Sequence, residues 1–161
     1  MRHIPTFLAA VLLAAALAAA DGCSERSPVT PRVTINGHTW TVDLATTRKQ
    51  RYDGLSGRTY LAPGYGMLFV YPTPRPLEFC MRGCPVPIDI AFIGADMRVI
   101  KTYQMHVEPN LEEKDIYPSD RPAQFALEVA GGTLVRAGVK EGDVVTFSAD
   151  MPPPAKAEDE P

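Results

Sequence analysis

Cys80 and Cys84 are the residues of this chain whose type and spacing could do chemistry. A cysteine pair of this kind can form a disulfide, bind a soft metal ion or act as a thiol redox couple. In an extended strand the two positions would lie roughly 13 Å apart, whereas a disulfide requires Cα atoms about 4.4 to 6.8 Å apart. A bonded pair therefore requires a turn between them, and Gly83, which tolerates positive φ, is suited to it.

The surroundings of the pair leave three interpretations open. We predict a structural disulfide between Cys80 and Cys84 in an oxidising compartment, without a metal. The first alternative is a Cu(I) or redox site, for which Cys80, Cys84 and His106 supply thiolate and imidazole ligands. The second is a pair of buried thiols.

Familiar catalytic patterns are missing from the sequence. A hydrolytic nucleophile needs a base, and beyond the N-terminal segment the only histidines are His38 and His106. The sequence contains neither a Gly-x-Ser-x-Gly elbow nor a His-Glu-x-x-His helix. We therefore expect a protein that is not an enzyme and that carries no cofactor.

Asp89 is a second candidate, because it interrupts an otherwise apolar run. It either faces solvent or is a buried carboxylate that needs a partner, and Arg58 and Arg82 are the natural partners. If such a pair lay beside Phe79 and Cys80, it would form a polar patch in an apolar cleft, which is typical of a small-ligand site. The alternative is a structural ion pair.

The N-terminus predicts export. Basic residues precede an apolar run from Phe7 to Ala20, which indicates a signal peptide over residues 1–22 and is too short to span a bilayer comfortably. Cys23 resembles the lipid-modified cysteine of bacterial lipoproteins, with residues 23–31 as a flexible tether. We expect a lipid on Cys23 to attach the protein to the periplasmic face of a bacterial membrane. The alternative is plain cleavage and a soluble periplasmic or secreted protein.

Composition limits the remaining chain. Residues 32–149 form one predicted domain, and prolines and acidic residues predict a disordered tail over 150–161. Hydrophobic residues make up 45% of the chain, which suits a globular domain, and the formal net charge of −3 argues against a nucleic-acid partner. We expect a monomer.

The pattern of short apolar segments predicts a mainly β domain. Asn36-Gly37 indicates a hairpin between strands 33–35 and 38–44, and Thr47 with Gln50 forms a possible capping box for a helix from Arg48 to about Asp53. Further strands are predicted at 67–71, 77–81, 88–93, 97–107, 125–129 and 144–147, with one helical turn within 131–137. Glu128 has the same two interpretations as Asp89, a buried carboxylate or an exposed one, and its alternation with apolar neighbours favours solvent exposure. About eight strands and one or two short helices suit a single antiparallel β-sandwich or partly closed β-barrel.

Six ordered blocks resemble the uncharacterised family known as domain of unknown function 192. They are Gly54 to Arg58, Gly66 to Phe69, Phe79 to Arg82, Pro87 to Ile93, Ala126 to Gly131 and Gly138 to Asp143. The resemblance implies a small, mainly β domain, often exported or lipid-anchored, with no established activity.

The chain departs from this family in its central block, which is usually Phe-Trp-Met-Lys-Asn-Thr. Cys80 replaces the tryptophan and Cys84 the threonine, while Arg82 keeps the positive charge. Replacing a large aromatic side chain with a thiol leaves a void unless something compensates, and a second, paired cysteine could. A five-residue disulfide loop would contribute about 2 kcal/mol.

These observations lead to one functional hypothesis and two alternatives. We expect an envelope domain that binds a small ligand or an envelope component through Arg58, Phe79, Cys80, Arg82 and Asp89. One alternative is a periplasmic Cu(I) or thiol redox protein that uses Cys80 and Cys84. The other is a structural or protein-docking module.

Overall fold

A computed structural model describes residues 30–111 and 114–148 of the chain. The predicted signal peptide, Cys23, most of the predicted tether and the tail from 150 to 161 lie outside these residues. In chain order the elements are β1 (Arg32–Ile35), β2 (His38–Ala45), α1 (Arg48–Asp53), β3 (Tyr65–Arg75), β4 (Glu78–Phe79), β5 (Ile88–Ile93), β6 (Val99–Met105), β7 (Tyr117–Pro118), β8 (Ala123–Ala130), α2 (Thr133–Arg136) and β9 (Val145–Phe147). Within the described residues, no helix is long and apolar enough to cross a membrane.

The largest element is a curled sheet with the strand order β6-β5-β8-β3-β2-β1-β9. Its two edges approach each other where Arg98, next to β6, bridges Val144, next to β9. The Val99 amide donates to the Asp143 carbonyl at 2.9 Å, and the Val145 amide donates to the Met97 carbonyl at 2.8 Å. The sheet is therefore a partly closed barrel, and the prediction of a mainly β domain is confirmed.

One pair of neighbouring strands, β2 and β3, is parallel, whereas the other pairs in the described sheet are antiparallel. Parallel neighbours need a crossover connection, and α1 with the loop after it carries the chain back. The helix begins with the predicted capping box, in which the Gln50 amide donates to the Thr47 hydroxyl. It ends at Gly54.

Local turn signals also placed the first hairpin correctly. Asn36 and Gly37 have φ angles of 51° and 75°, and Ile35 pairs with His38 across the turn. Positive φ at both central positions is the geometry that Asn-Gly favours in a two-residue hairpin loop. The predicted hairpin is therefore confirmed.

The predicted strand at 77–81 is shorter in the structure. Only Glu78 and Phe79 are paired, with Pro118 and Tyr117 in a separate two-stranded sheet. Leu77 and Met81, on either side, are buried against the large sheet. The apolar character of this segment comes from packing across a sheet face and not from a long strand.

The large sheet is covered on both faces. Successive residues of β3 point to opposite sides, so that Leu68 and Val70 lie in the core inside the barrel while Met67 and Phe69 lie in a second core outside it. The second core is closed by residues from the two segments that follow α1 and β3, including Leu55, Leu61, Leu77, Met81 and Cys84. We call these two sides the inner face and the outer face.

Candidate functional site

A cleft of about 210 Å³ opens on the outer face, and we refer to it as the outer cleft. Its floor is formed by β3 and β8, one wall by α1 and the loop after it, and the other wall by β4 and the turn that follows. The lining residues are Phe69, Tyr71 and Glu128 from the sheet, residues 51–56 from the helical wall, and Glu78, Phe79, Cys80, Arg82 and Cys84 from the other wall.

Glu128 is the buried charged group of this cleft, with a relative exposure of 4%. On β8 it lies opposite Met67 of β3 and Ile90 of β5, both apolar. The predicted exposure of Glu128 is therefore wrong. Because β8 is a central strand covered on both faces, the alternation of its side chains separates two cores and does not separate core from solvent.

The Glu128 carboxyl receives no hydrogen bond or ion pair from the described residues. No side-chain polar atom in that part of the chain is both fully buried and without a hydrogen bond, so the Glu128 oxygens must reach the space of the outer cleft. Burial raises the pKa of this carboxyl to about 8. At neutral pH the floor of the cleft therefore holds a mostly protonated carboxylic acid.

Sequence reasoning favoured an exposed Glu128, although a signal for its burial was present. β8 reads AQFALEVA, in which Glu128 is the one charged residue of eight. An almost entirely apolar strand is typical of a place in the sheet that is covered on both faces. A single carboxyl in such a strand is costly unless it has a partner or a function.

The two cysteines flank the predicted turn. The Cys84 amide donates to the Met81 carbonyl at 3.0 Å, and Gly83 has a φ angle of 62°. The turn at Arg82-Gly83 is therefore confirmed. Cys80 and Cys84 are both thiols in the structure, and both line the outer cleft. The disulfide stays a prediction.

The environment of Cys84 keeps its thiol protonated. Burial, followed by the nearby Glu128 and Cys80, raises the pKa of the Cys84 thiol to about 11. At pH 7 roughly one molecule in 10⁴ then carries a thiolate, which is the form that attacks disulfides and binds metals. Reduced Cys84 is therefore a poor nucleophile at neutral pH.

Aromatic rings and two arginines shape the walls. The Phe79 ring meets the Phe69 ring edge-on at 4.8 Å. The Arg82 guanidinium lies 3.9 Å from the centre of the Tyr52 ring and donates to the Tyr52 carbonyl at 2.6 Å. The structure therefore brings together three of the five predicted ligand-binding residues, namely Phe79, Cys80 and Arg82.

Asp89 and Arg58 are not part of the outer cleft. The Asp89 side chain is buried on the inner face, where it accepts hydrogen bonds from the Gly132 and Leu134 amides, each at 2.8 Å. Arg58 forms an ion pair with Asp43 at 2.6 Å. The predicted pairing of Asp89 with Arg58 or Arg82 is therefore wrong, because the sheet separates Asp89 from the face on which the cleft lies.

The third ligand of the alternative metal site also lies elsewhere. His106 is exposed just after β6 and does not line the outer cleft. Among residues 30–111 and 114–148, no group of three or more His, Cys, Asp or Glu side chains is arranged to hold a metal ion. The structure therefore does not bring Cys80, Cys84 and His106 together.

Two solved structures of similar fold come from bacteria. A protein of unknown function from Novosphingobium aromaticivorans DSM 12444 is 34% identical, with a TM-score of 0.66 over 71% of this chain and 83% of its own. A protein from Sinorhizobium meliloti 1021, described as a "putative transcription regulator", is 32% identical, with a TM-score of 0.68 over 74% of this chain and 94% of its own. No protein with curated annotation matches the chain.

The family comparison agrees with the fold and with the ordered blocks in the sequence. The model of the DUF192 family, described as an uncharacterized ACR, matches residues 31–147. This range spans the chain from just before β1 to the end of β9. The chain therefore belongs to the DUF192 family.

Proposed function

We propose that this domain binds a small ligand in the outer cleft and that it is a binding protein, not an enzyme. The observation that carries the proposal is Glu128, whose buried carboxyl opens into the cleft and has no hydrogen-bonding partner among the described residues. Buried polar groups in proteins are nearly always hydrogen-bonded, and exceptions have a cause such as a bound ligand or water. A ligand that bonds to Glu128 would supply the missing partner.

The size and lining of the cleft indicate what kind of ligand fits. Its volume of about 210 Å³ is below the range of about 300 to 1,000 Å³ that is common for drug-sized ligands. The Phe69 and Phe79 rings lie beside one buried acid, and most of the remaining lining is polar, which suits a small polar ligand. The proposed ligand is therefore a small molecule or the head group of a larger one.

The position of Cys80 supports the same proposal. Cys80 lines the cleft at the position where the central block of the family usually has tryptophan. Replacing a large side chain with a small one in a packed region leaves a cavity when the surroundings relax only in part. The small side chain of Cys80 therefore leaves space in the cleft that a tryptophan would fill.

The substitution Cys80→Trp tests the proposal. A small-molecule fragment library is screened by NMR against the purified protein, and residues whose amide signals shift are mapped. We expect fragments that shift the signals of Leu55, Phe69 and Glu128, and we expect Cys80→Trp to abolish these shifts. The matched control is Val135→Trp, which adds tryptophan at an exposed position outside the cleft.

The proposal fails if no fragment shifts the cleft signals, or if Cys80→Trp and Val135→Trp affect binding equally. A folded Cys80→Trp variant is recognised by an amide spectrum that otherwise retains the dispersion of the native protein. Failure of this kind would favour the alternative of a structural or docking module.

We further propose that the domain acts in the cell envelope, anchored through lipid on Cys23. The support is the basic and apolar N-terminal segment followed by Cys23 and a polar stretch. The mass of the mature protein from membranes tests this, because lipidation adds acyl chains and makes Cys23 the first residue. A mature protein that begins at another residue, or that carries no lipid, would exclude the anchor.

Cu(I) binding or redox chemistry at the two thiols is the second candidate, and one observation favours it: Cys80 and Cys84 line the same cleft on either side of a turn. The raised pKa of the Cys84 thiol argues against it. A Cu(I) titration decides. Uptake of one Cu(I) by the native protein, lost in Cys84→Ser, would favour this candidate over ligand binding.

The regulator description belongs to the Sinorhizobium protein, and we propose no nucleic-acid role for this chain. Protein affinity for nucleic acid depends on cations that neutralise phosphates, and this chain has a formal net charge of −3. The absence of salt-sensitive binding to a random DNA duplex is the expected result.

A further inference from the structure

We infer that the ligand of the outer cleft carries a primary ammonium group, which binds to the ionised carboxylate of Glu128 on the cleft floor. This inference rests on the proposed function, since it names the chemical class of ligand for the same cleft.

The nearest neighbours of Glu128 within the sheet are apolar. Across the sheet it faces Met67 and Ile90, and Ala126 is its neighbour on the same face of β8. None of these side chains can donate a hydrogen bond. Both carboxyl oxygens therefore depend on the contents of the cleft for their partners.

The two arginines that line the cleft already have other partners. Arg51 donates to the carbonyls of Thr46 and Val70 at 2.7 and 2.9 Å. Arg82 donates to the Tyr52 carbonyl and lies over the Tyr52 ring. Both guanidinium groups are thus directed toward other partners, and neither forms an ion pair with Glu128.

The possible ligands differ in charge and in the number of hydrogen bonds that they can donate to Glu128. A ligand anion at the floor would meet the acidic Glu128. The lining holds two further carboxylates, Glu78 and Asp53, of which Asp53 pairs with Lys49, against two arginines. A neutral acceptor could take only the single proton of a protonated carboxyl. A primary ammonium group has three donors and can satisfy both oxygens. The nearby Phe69 and Phe79 rings are also compatible with a cation.

Binding of an ammonium ligand to Glu128 should depend on pH. Burial raises the pKa of Glu128 to about 8, so below that pH an ammonium ligand must displace a proton from the carboxyl. Affinity should then rise about tenfold per pH unit between pH 5 and 7 and level off above about pH 8. A neutral hydrogen-bond acceptor would show the opposite trend. Its affinity should not change with pH below about pH 8 and should fall above it.

Other titratable or charged groups face the same cleft. They are Arg51, Tyr52, Asp53, Tyr71, Glu78, Cys80, Arg82 and Cys84. As a thiol, Cys84 has a pKa raised to about 11 and stays protonated from pH 5 to 9, and in a disulfide with Cys80 it would not ionise. Comparison with Glu128→Gln, which keeps the shape of the side chain but cannot ionise, isolates the contribution of Glu128 from the rest.

The test is calorimetric titration of the purified protein with n-butylammonium chloride and, as a neutral probe of similar size, 1-butanol. Each titration is run from pH 5 to 9 in two buffers of different ionisation enthalpy, which counts the protons released. We expect butylammonium to bind with release of close to one proton at pH 6. We also expect Glu128→Gln to lose this release and at least tenfold in affinity at pH 8.

The outcomes separate the inference from the proposed function. Butylammonium that does not bind, or that binds without releasing a proton, overturns the ammonium inference whatever Glu128→Gln does. If 1-butanol or screened fragments still shift the cleft signals, the binding function survives that result. If no probe shifts them, the binding function fails as well.

Discussion

Glu128 and Asp89 show how two buried carboxyls of one sheet can have opposite environments. Asp89, on the inner face, accepts hydrogen bonds from two backbone amides at the start of α2. Glu128, on the outer face, has only apolar neighbours across the sheet. Hydrogen bonds from N–H groups favour a charged carboxylate, whereas burial without them favours the neutral acid. The first group therefore organises the fold, and the second is available to a ligand.

The raised pKa of Glu128 predicts that stability falls as pH rises. Between about pH 4.5 and 8 the folded protein holds the Glu128 proton and the unfolded chain does not. The contribution of Glu128 to the free energy of unfolding should then fall by about 1.4 kcal/mol per pH unit in this window, or roughly 4 to 5 kcal/mol in total. Urea denaturation at several pH values, compared with Glu128→Gln, measures it.

The comparison removes the effects of other groups, because they are present in both proteins. We expect the free-energy difference between Glu128→Gln and the native protein to grow from pH 5 to 8. A difference that does not change with pH would mean that Glu128 ionises at an ordinary pH, and the account of the cleft floor would be wrong.

Asp89→Asn should destabilise the protein by about 2 kcal/mol. Asp89 accepts two hydrogen bonds, one on each carboxyl oxygen, and asparagine offers one acceptor oxygen in place of two. Its amide group would face a backbone N–H with no lone pair to offer. Denaturant titration measures the change. Asp96→Asn, at an exposed hairpin position, is the control and should change stability by less than about 0.5 kcal/mol.

Residue environments were the least predictable feature from the sequence. Asp89 was recognised as unusual, but its partners are backbone amides more than 40 positions away in sequence, which no side-chain pattern reveals. Glu128 was assigned to solvent because alternation on a strand gives the face and does not tell what covers it. Phe79, Cys80 and Arg82 were correctly grouped because they are close in sequence.

At the scale of elements, the turn at Arg82-Gly83 supports the predicted disulfide between Cys80 and Cys84. We expect neither cysteine of the protein isolated from its native compartment to react with an alkylating reagent until reductant is added. Closing a five-residue loop restricts the unfolded chain, so reduction should lower the free energy of unfolding by about 2 kcal/mol. Mass measurement after alkylation checks the bond, and denaturation with and without reductant checks its contribution.

The variant Cys84→Ser serves as the control, because it cannot form the bond and should be insensitive to reductant. Alkylation of both cysteines in the unreduced protein would contradict the disulfide and leave them as thiols. In that case the raised pKa of Cys84 predicts that its thiol is alkylated more slowly than an ordinary exposed thiol.

Elements with strong local signals were predictable, and those that depend on distant partners were not. The Asn36-Gly37 turn and the Thr47 capping box are determined by residues within a few positions of each other. The short strand β4 is different, because its length is limited by the two residues of β7 about 40 positions later. The parallel pairing of β2 with β3 likewise joins residues 24 positions apart, such as Thr41 and Tyr65, which the sequence pattern did not show.

At the scale of the molecule, one sheet separates two cores, and this predicts separate effects on stability and binding. Leu68 is fully buried on the inner face, and its neighbour Phe69 is buried on the outer face and lines the cleft. Leu68→Ala and Phe69→Ala should each lower stability by roughly 2 to 5 kcal/mol. Only Phe69→Ala should also weaken binding of a ligand in the outer cleft.

Urea denaturation and ligand titration on the same two variants check this prediction. Binding is measured at low temperature without denaturant, where both variants remain mostly folded. Equal loss of affinity in both would show that the two faces are coupled and that the sheet does not isolate the cleft from the inner core.

The side-by-side position of β1 and β9 has a mechanical consequence. The Ser148 amide donates to the Arg32 carbonyl, and the antiparallel register continues from Val33 with Phe147 to Ile35 with Val145. A pulling force applied between residues 32 and 148 therefore acts perpendicular to these strands and breaks their hydrogen bonds one after another. Pulled between these two residues, the domain should unfold at a small force. Pulled along its strands, the same domain should resist until many hydrogen bonds break together.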